Sequence, residues 1–178
     1  MQSSAAYAGN RWLGAQIDAF EDPWYRFSRL LSVLDEVVEI PAGSTWLDLG
    51  SHQGQFLSVA QAKYGIVATG MDNWPTTMKS DGLWRYFHRD LAEGIHLHER
   101  FQFISALEVL EHMVDTDAFL KDCNEHLQSN GYLVLSTPNI NSLRNRLTVP
   151  LGKYPAGLEY RNVIHHVGSI THDYCRPT

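Results

Sequence analysis

The chain has 178 residues, 44% of them hydrophobic and 19% charged, a make-up that fits one ordinary globular domain able to bury a core without disulfide or metal staples. Acids outnumber lysine and arginine by 20 to 14, for a net charge of -6, and no basic run or stripe is present, which argues against a nucleic-acid partner. No stretch approaches the roughly 18 apolar residues of a membrane span. Met1–Asn10 lacks the apolar core of a secretory leader, and Cys123 and Cys175 read as isolated reduced thiols, so a cytoplasmic protein is expected.

In chain order, residues 1–22 read as a lead-in. Pro23 suits the first turn of a helix, and Trp24, Phe27, Leu30, Leu31, Leu34 and Val37/Val38 recur at spacings of three and four, giving it one apolar face. Thr45–Gly50 predicts a buried strand. Gln53–Tyr64 predicts a helix with Phe56, Val59, Ala60 and Ala62/Tyr64 on one face, capped by Gly65. Ile66–Asp72, Trp84–His88 and Phe101–Leu107 predict further strands. Asp117–Ser129 predicts a helix with Phe119, Leu120, Cys123 and Leu127 inward, ended by Asn130-Gly131, and Gly131–Ser136 a fifth strand. The segment from Asn139 to Leu147 can start one more helix, and the residues beyond Pro150 read as loop. Strands alternating with helices, and strands that are nearly continuous apolar runs, predict a parallel sheet covered on both faces.

The segment Asp48-Leu49-Gly50-Ser51-His52-Gln53-Gly54 joins the first strand to its helix. A turn with two glycines lets backbone approach a ligand closely, and the helix N-terminus points its amides there. A dinucleotide fingerprint would need glycine at 50, 52 and 55, and His52 and Gln55 stand at two of these, so a nicotinamide cofactor is not expected. Each motif residue also has a plain reading. Asp48 could cap the turn, the glycines could serve packing, Asp72 could form a strand-end turn, and His112 could open a helix.

The acid-x-glycine start of this segment resembles the first motif of the class I S-adenosylmethionine-dependent methyltransferases, with His52 in the place of the middle glycine. The resemblance continues through Asp72 at the end of the second strand, Asn73-Trp74 after it, and Asp90-Leu91 after the third. It includes Phe101–His112, which looks like the fourth strand and turn of the ubiquinone-biosynthesis O-methyltransferase-like subgroup, with Gln102 where an acid is usual. Gly131–Asn139, with its Thr-Pro-Asn end, and more weakly His166–Thr171 also match.

The resemblance implies an α/β, Rossmann-like open, mostly parallel sheet with helices on both faces, formed by residues 23–178 as an S-adenosylmethionine-binding methyltransferase domain. It implies cofactor contacts from Asp48, Leu49, Gly50, Ser51, Gly54, Asp72, Asn73, Trp74, Asp90, Leu91, Ala106 and Leu107. Asp72 would hold the ribose hydroxyls, Trp74 would pack on the adenine, and Asp90-Leu91 would hold its amino edge. His112 is the candidate general base, since imidazole titrates near neutrality. The implied activity is O-methylation of a small molecule, sugar or lipid-linked acceptor, with no metal.

Two other readings stay open. Glu108, Glu111 and His112, with His165-His166, resemble the metal site of small-RNA 3′-terminal 2′-O-methyltransferases. The chain could also be a non-catalytic or truncated cofactor-binding domain, because the family's sixth and seventh strands are not found before Thr178. The fifth strand is then expected to be an apolar edge, covered by a second copy of the chain or by a continuation of the protein.

Overall fold

The computed structural model describes residues 23–73, 84–139 and 143–153. Two compact units divide between His88 and Arg89.

The first unit opens with helix α1 (Pro23–Val37), which buries Leu31 and Leu34; Val37, expected on the same face, is exposed at the helix end. Strands β1 (Thr45–Leu49), β2 (Val67–Asp72) and β3 (Trp84–His88) follow, with helix α2 (Gln55–Tyr64) between β1 and β2. The strands are parallel and β2 lies in the middle, with Thr45 opposite Val67 and Ala68 opposite Trp84. Trp46, Leu47 and Leu49 are all fully buried, which is why β1 reads as a largely apolar run interrupted only by Asp48 after Thr45. α2 covers the sheet with Phe56, Leu57 and Ala60; the Phe56 ring meets Trp46 edge-on at 5.6 Å and Phe27 at 5.5 Å. Gly65 ends α2 as expected, in the left-handed region with φ 67°.

The second unit has a 3-10 turn at Leu91–Glu93, strand β4 (Phe101–Leu107), a 3-10 turn at Leu110–His112 and helix α3 (Thr116–Glu125). Strand β5 (Leu127–Ser136), helix α4 (Leu143–Thr148) and a 3-10 turn at Val149–Leu151 complete it. β4 and β5 pair in parallel.

The largest departures from the sequence reading are at the end of α3 and the start of β5. α3 stops at Glu125 rather than Ser129, because tertiary contacts capture His126. Its Nδ1 lies 2.9 Å from the Asp122 carbonyl and its Nε2 3.0 Å from that of Leu97, and its own carbonyl accepts from Phe101 N at 2.8 Å. Asp122 in turn accepts from the amide of buried Ile95 at 2.7 Å. Leu127, expected inside the helix, therefore opens β5 opposite Phe101. The pairing then jumps to Phe103 opposite Tyr132, so residues 128–131 bulge outward around Asn130, which takes φ 63°. Tyr132 stacks on Phe103 at 5.6 Å, yet Tyr132 and Leu135 remain 47% and 37% exposed. No helix among the described residues is long and apolar enough to cross a membrane.

Candidate cofactor and active site

The turn after β1 belongs to the first unit and follows from its backbone. Gly50 takes φ 73° and its N–H donates to the Met71 carbonyl at 2.8 Å; Ser51 N donates to the same oxygen at 3.2 Å. His52 takes φ 46°, so the residue in the place of the family's middle glycine adopts a left-handed backbone. Histidine enters that region more readily than most side chains, although it costs about 1–2 kcal/mol relative to glycine. Turned this way, the His52 N–H donates to Asp72 Oδ2 at 2.7 Å. The turn at the end of β1 is thereby fastened to the carboxylate that ends β2.

Gly54 closes the turn at φ 71° and precedes α2, whose first turn has no side-chain cap. A Cβ at Gly54 would lie 2.3 Å from the Trp84 indole, and one at Gly70 would lie 2.7 Å from Ser51 Oγ and 2.8 Å from the same indole. Gly54 thus has a packing requirement of its own. Asp48 is buried in β1, opposite Gly70. Ser51 is 5% exposed and its hydroxyl has no hydrogen-bond partner among the described residues.

Asp72 is half-buried and Asn73 exposed at the end of β2. Two residues absent from the sequence reading brace them: Tyr86 Oη donates to the Asp72 carbonyl at 3.0 Å, and His88 Nε2 lies 2.8 Å from the Asn73 carbonyl. Trp74 lies outside the described residues.

In the second unit, Asp90 caps the Leu91–Glu93 turn by accepting from Ala92 N at 2.9 Å. Ala106 is fully buried near the end of β4 and Leu107 closes the strand. Glu108 follows with φ 58°, an uncommon backbone for a glutamate, and is held by Ser136 at the end of β5. Its N–H donates to the Ser136 carbonyl at 3.0 Å, and Ser136 Oγ donates to Glu108 Oε1 at 3.0 Å. Backbone strain of this kind collects at functional sites.

His112 ends the next 3-10 turn, half-buried; burial lowers its pKa, partly offset by the negative Glu108. Burial raises the pKa of the Glu111 carboxyl, with Glu108 adding to the effect, and Glu111 Oε2 is buried with no hydrogen-bond partner among the described residues. No group of three or more His, Cys, Asp or Glu among the described residues is placed to hold a metal; His165 and His166 lie outside them.

A turn built on left-handed residues, tied to an accessible carboxylate at the end of the next strand, suits an adenosine cofactor. Residues 24–170 match the family model described as a methyltransferase domain. The chain belongs to this family, the class I S-adenosylmethionine-dependent methyltransferases. It is 31% identical over 124 residues to the mitochondrial ubiquinone biosynthesis O-methyltransferase of Schizosaccharomyces pombe, covering 64% of this chain and 44% of that protein. It is 28% identical over 176 residues to the Xanthomonas axonopodis ubiquinone biosynthesis O-methyltransferase, covering 90% of this chain and 70% of that one. The chain spans about half the length or less of several curated relatives that it matches, at 20%, 44% and 51%. A methyltransferase from Thiobacillus denitrificans, solved with S-adenosyl-L-homocysteine, aligns with a TM-score of 0.54 at 22% identity, covering 65% of this chain and 50% of that one. The fold is therefore the Rossmann-like methyltransferase fold, with parallel strands and helices in each unit.

Proposed function

We propose that the chain binds S-adenosylmethionine and catalyses methyl transfer to an oxygen of a small-molecule, sugar or lipid-linked acceptor. The observation that carries this reading is the bond from His52 N–H to Asp72 Oδ2, which presets a carboxylate beside the turn after β1. A carboxylate has about four lone-pair sites, so Asp72 can accept from ribose hydroxyls while it holds His52. The relatives named ubiquinone biosynthesis O-methyltransferases support oxygen as the accepting atom.

In this reading Asp48, Leu49, Gly50, Ser51 and Gly54 shape the turn against the cofactor, and Asp72 holds the ribose. Asn73 and Trp74 flank the adenine, Asp90 and Leu91 meet its edge, and Ala106 and Leu107 contribute from the end of β4. The bound cofactor supplies a methyl group already activated on a sulfonium. The chain's residues need only orient the two reactants and keep water out. His112 takes the proton of the acceptor hydroxyl.

Calorimetry tests the cofactor assignment: S-adenosylhomocysteine should bind and NAD should not. Binding of NAD without S-adenosylhomocysteine would sink it. For His112, burial lowers the pKa, so the neutral, proton-accepting imidazole prevails at pH 7. Turnover of a hydroxylated acceptor found by screening should therefore fall only as pH drops through that lowered pKa. His112→Ala should lower turnover by roughly 10²–10⁴-fold with cofactor affinity unchanged. Full turnover of the variant from about pH 6 to 9 would return His112 to a structural role.

A further inference from the structure

Asp72 and His88 stand opposite each other at the end of the β2–β3 pair, where both strands leave the sheet. Beyond the ladder, β3 reaches back with two side chains. Tyr86 Oη lies 3.0 Å from the Asp72 carbonyl and His88 Nε2 lies 2.8 Å from the Asn73 carbonyl. A carbonyl oxygen can only accept, so Tyr86 gives its O–H and His88 carries its hydrogen on Nε2. Burial raises the Tyr86 phenol pKa, with the negative Asp72 adding to the rise, so the donor stays protonated at working pH. Its ring is steadied by an edge contact with Trp84 at 6.0 Å. Asp72 is thus held at its carboxylate by His52 N–H and at its carbonyl by Tyr86, and the next carbonyl is held by His88. A short acidic side chain follows its backbone closely, so fixing these two carbonyls fixes where the carboxylate points.

We propose that Tyr86 and His88 are positioning residues for the cofactor's ribose, acting through the backbone of Asp72 and Asn73 to aim the Asp72 carboxylate at the vicinal hydroxyls. The inference rests on the reading that Asp72 takes those hydroxyls. It goes further in assigning β3 a share of cofactor selectivity.

The test compares two ligands on the full chain: S-adenosylhomocysteine and its 2′,3′-dideoxyribose analogue, which has no hydroxyls for Asp72 to hold. Tyr86→Phe removes only the phenol oxygen. It should weaken S-adenosylhomocysteine about fivefold, the scale of one neutral hydrogen bond, and leave the analogue's affinity within about twofold. His88→Phe should behave likewise, and His88→Gln, which restores an N–H donor, should recover most of the affinity. His88→Phe carries the test if Tyr86→Phe does not fold. Equal weakening of both ligands would show a merely structural role and overturn the inference, as would unchanged affinity for both. If Asp72→Ala binds S-adenosylhomocysteine as tightly as the wild type, or the wild type does not bind it, the underlying ribose reading fails instead.

Discussion

Gly54→Ala should destabilise the protein by about 2–5 kcal/mol, read as a shift in the midpoint of urea unfolding. Two independent costs meet at this position. The backbone has φ 71°, a left-handed conformation that costs a residue with a Cβ about 1–2 kcal/mol. The added carbon would also lie 2.3 Å from Trp84 Cζ2, and overpacking a filled site costs about 1–3 kcal/mol. The indole has little room to yield, since Gly70 approaches its other edge and Trp84 is only 8% exposed. Gly65→Ala separates the two costs. Gly65 has φ 67°, but its Cβ would meet Ala42 at an ordinary 3.6 Å, so this variant should incur the backbone cost alone. Gly54→Ala being no worse than Gly65→Ala would show that Trp84 moves aside and that the packing argument is wrong. Against a typical total stability of about 5–15 kcal/mol, the expected loss for Gly54→Ala is large enough to lower soluble yield.

The alternation of strands and helices was legible because the central strands β1, β2 and β4 are largely buried. β3 and β4 have their predicted limits, and β1 and β2 differ from theirs by one residue at an end. The end of α3 was not legible. The helical pattern continues past Glu125, and only the bonds from His126 and Asp122 to the segment before β4 stop it. Asn130-Gly131 was a true turn signal assigned to the wrong event, since the turn bulges from β5 instead of ending α3.

The site divides in the same way. The turn around Gly50 and Gly54 could be read, because a strand running into a helix through glycines reports it, and both take a left-handed backbone. That His52 would serve in place of glycine could not, because it depends on a φ of 46° and on an acceptor 20 positions away. Tyr86 and His88 escaped notice for the same reason, and Glu108 drew notice only in the metal-site reading, not for its bonds to Ser136. Each acts through a contact that exists only once neighbouring strands are in register.

Asp72→Ala should weaken S-adenosylhomocysteine at least tenfold in calorimetry while the unliganded chain still folds. Hydrogen bonds to a charged group contribute roughly 1.5–3 kcal/mol each, and a tenfold change needs about 1.4 kcal/mol. Loss of even one ribose contact would therefore suffice. The fold should tolerate the change because the amide left behind, His52 N–H, is on an exposed residue and can turn to water. The turn keeps two further anchors that do not pass through the carboxylate, since Gly50 and Ser51 donate to the Met71 carbonyl. Tyr86 likewise bonds the main chain of residue 72, which alanine keeps. The melting temperature without ligand should then fall by only a few degrees, on the order of 1 kcal/mol, against a much larger loss of binding. Asp72→Asn, which keeps one acceptor oxygen without the charge, should fall between wild type and alanine. An unchanged dissociation constant for a folded Asp72→Ala protein would remove Asp72 from the cofactor site and leave its bond to His52 as a purely structural tie.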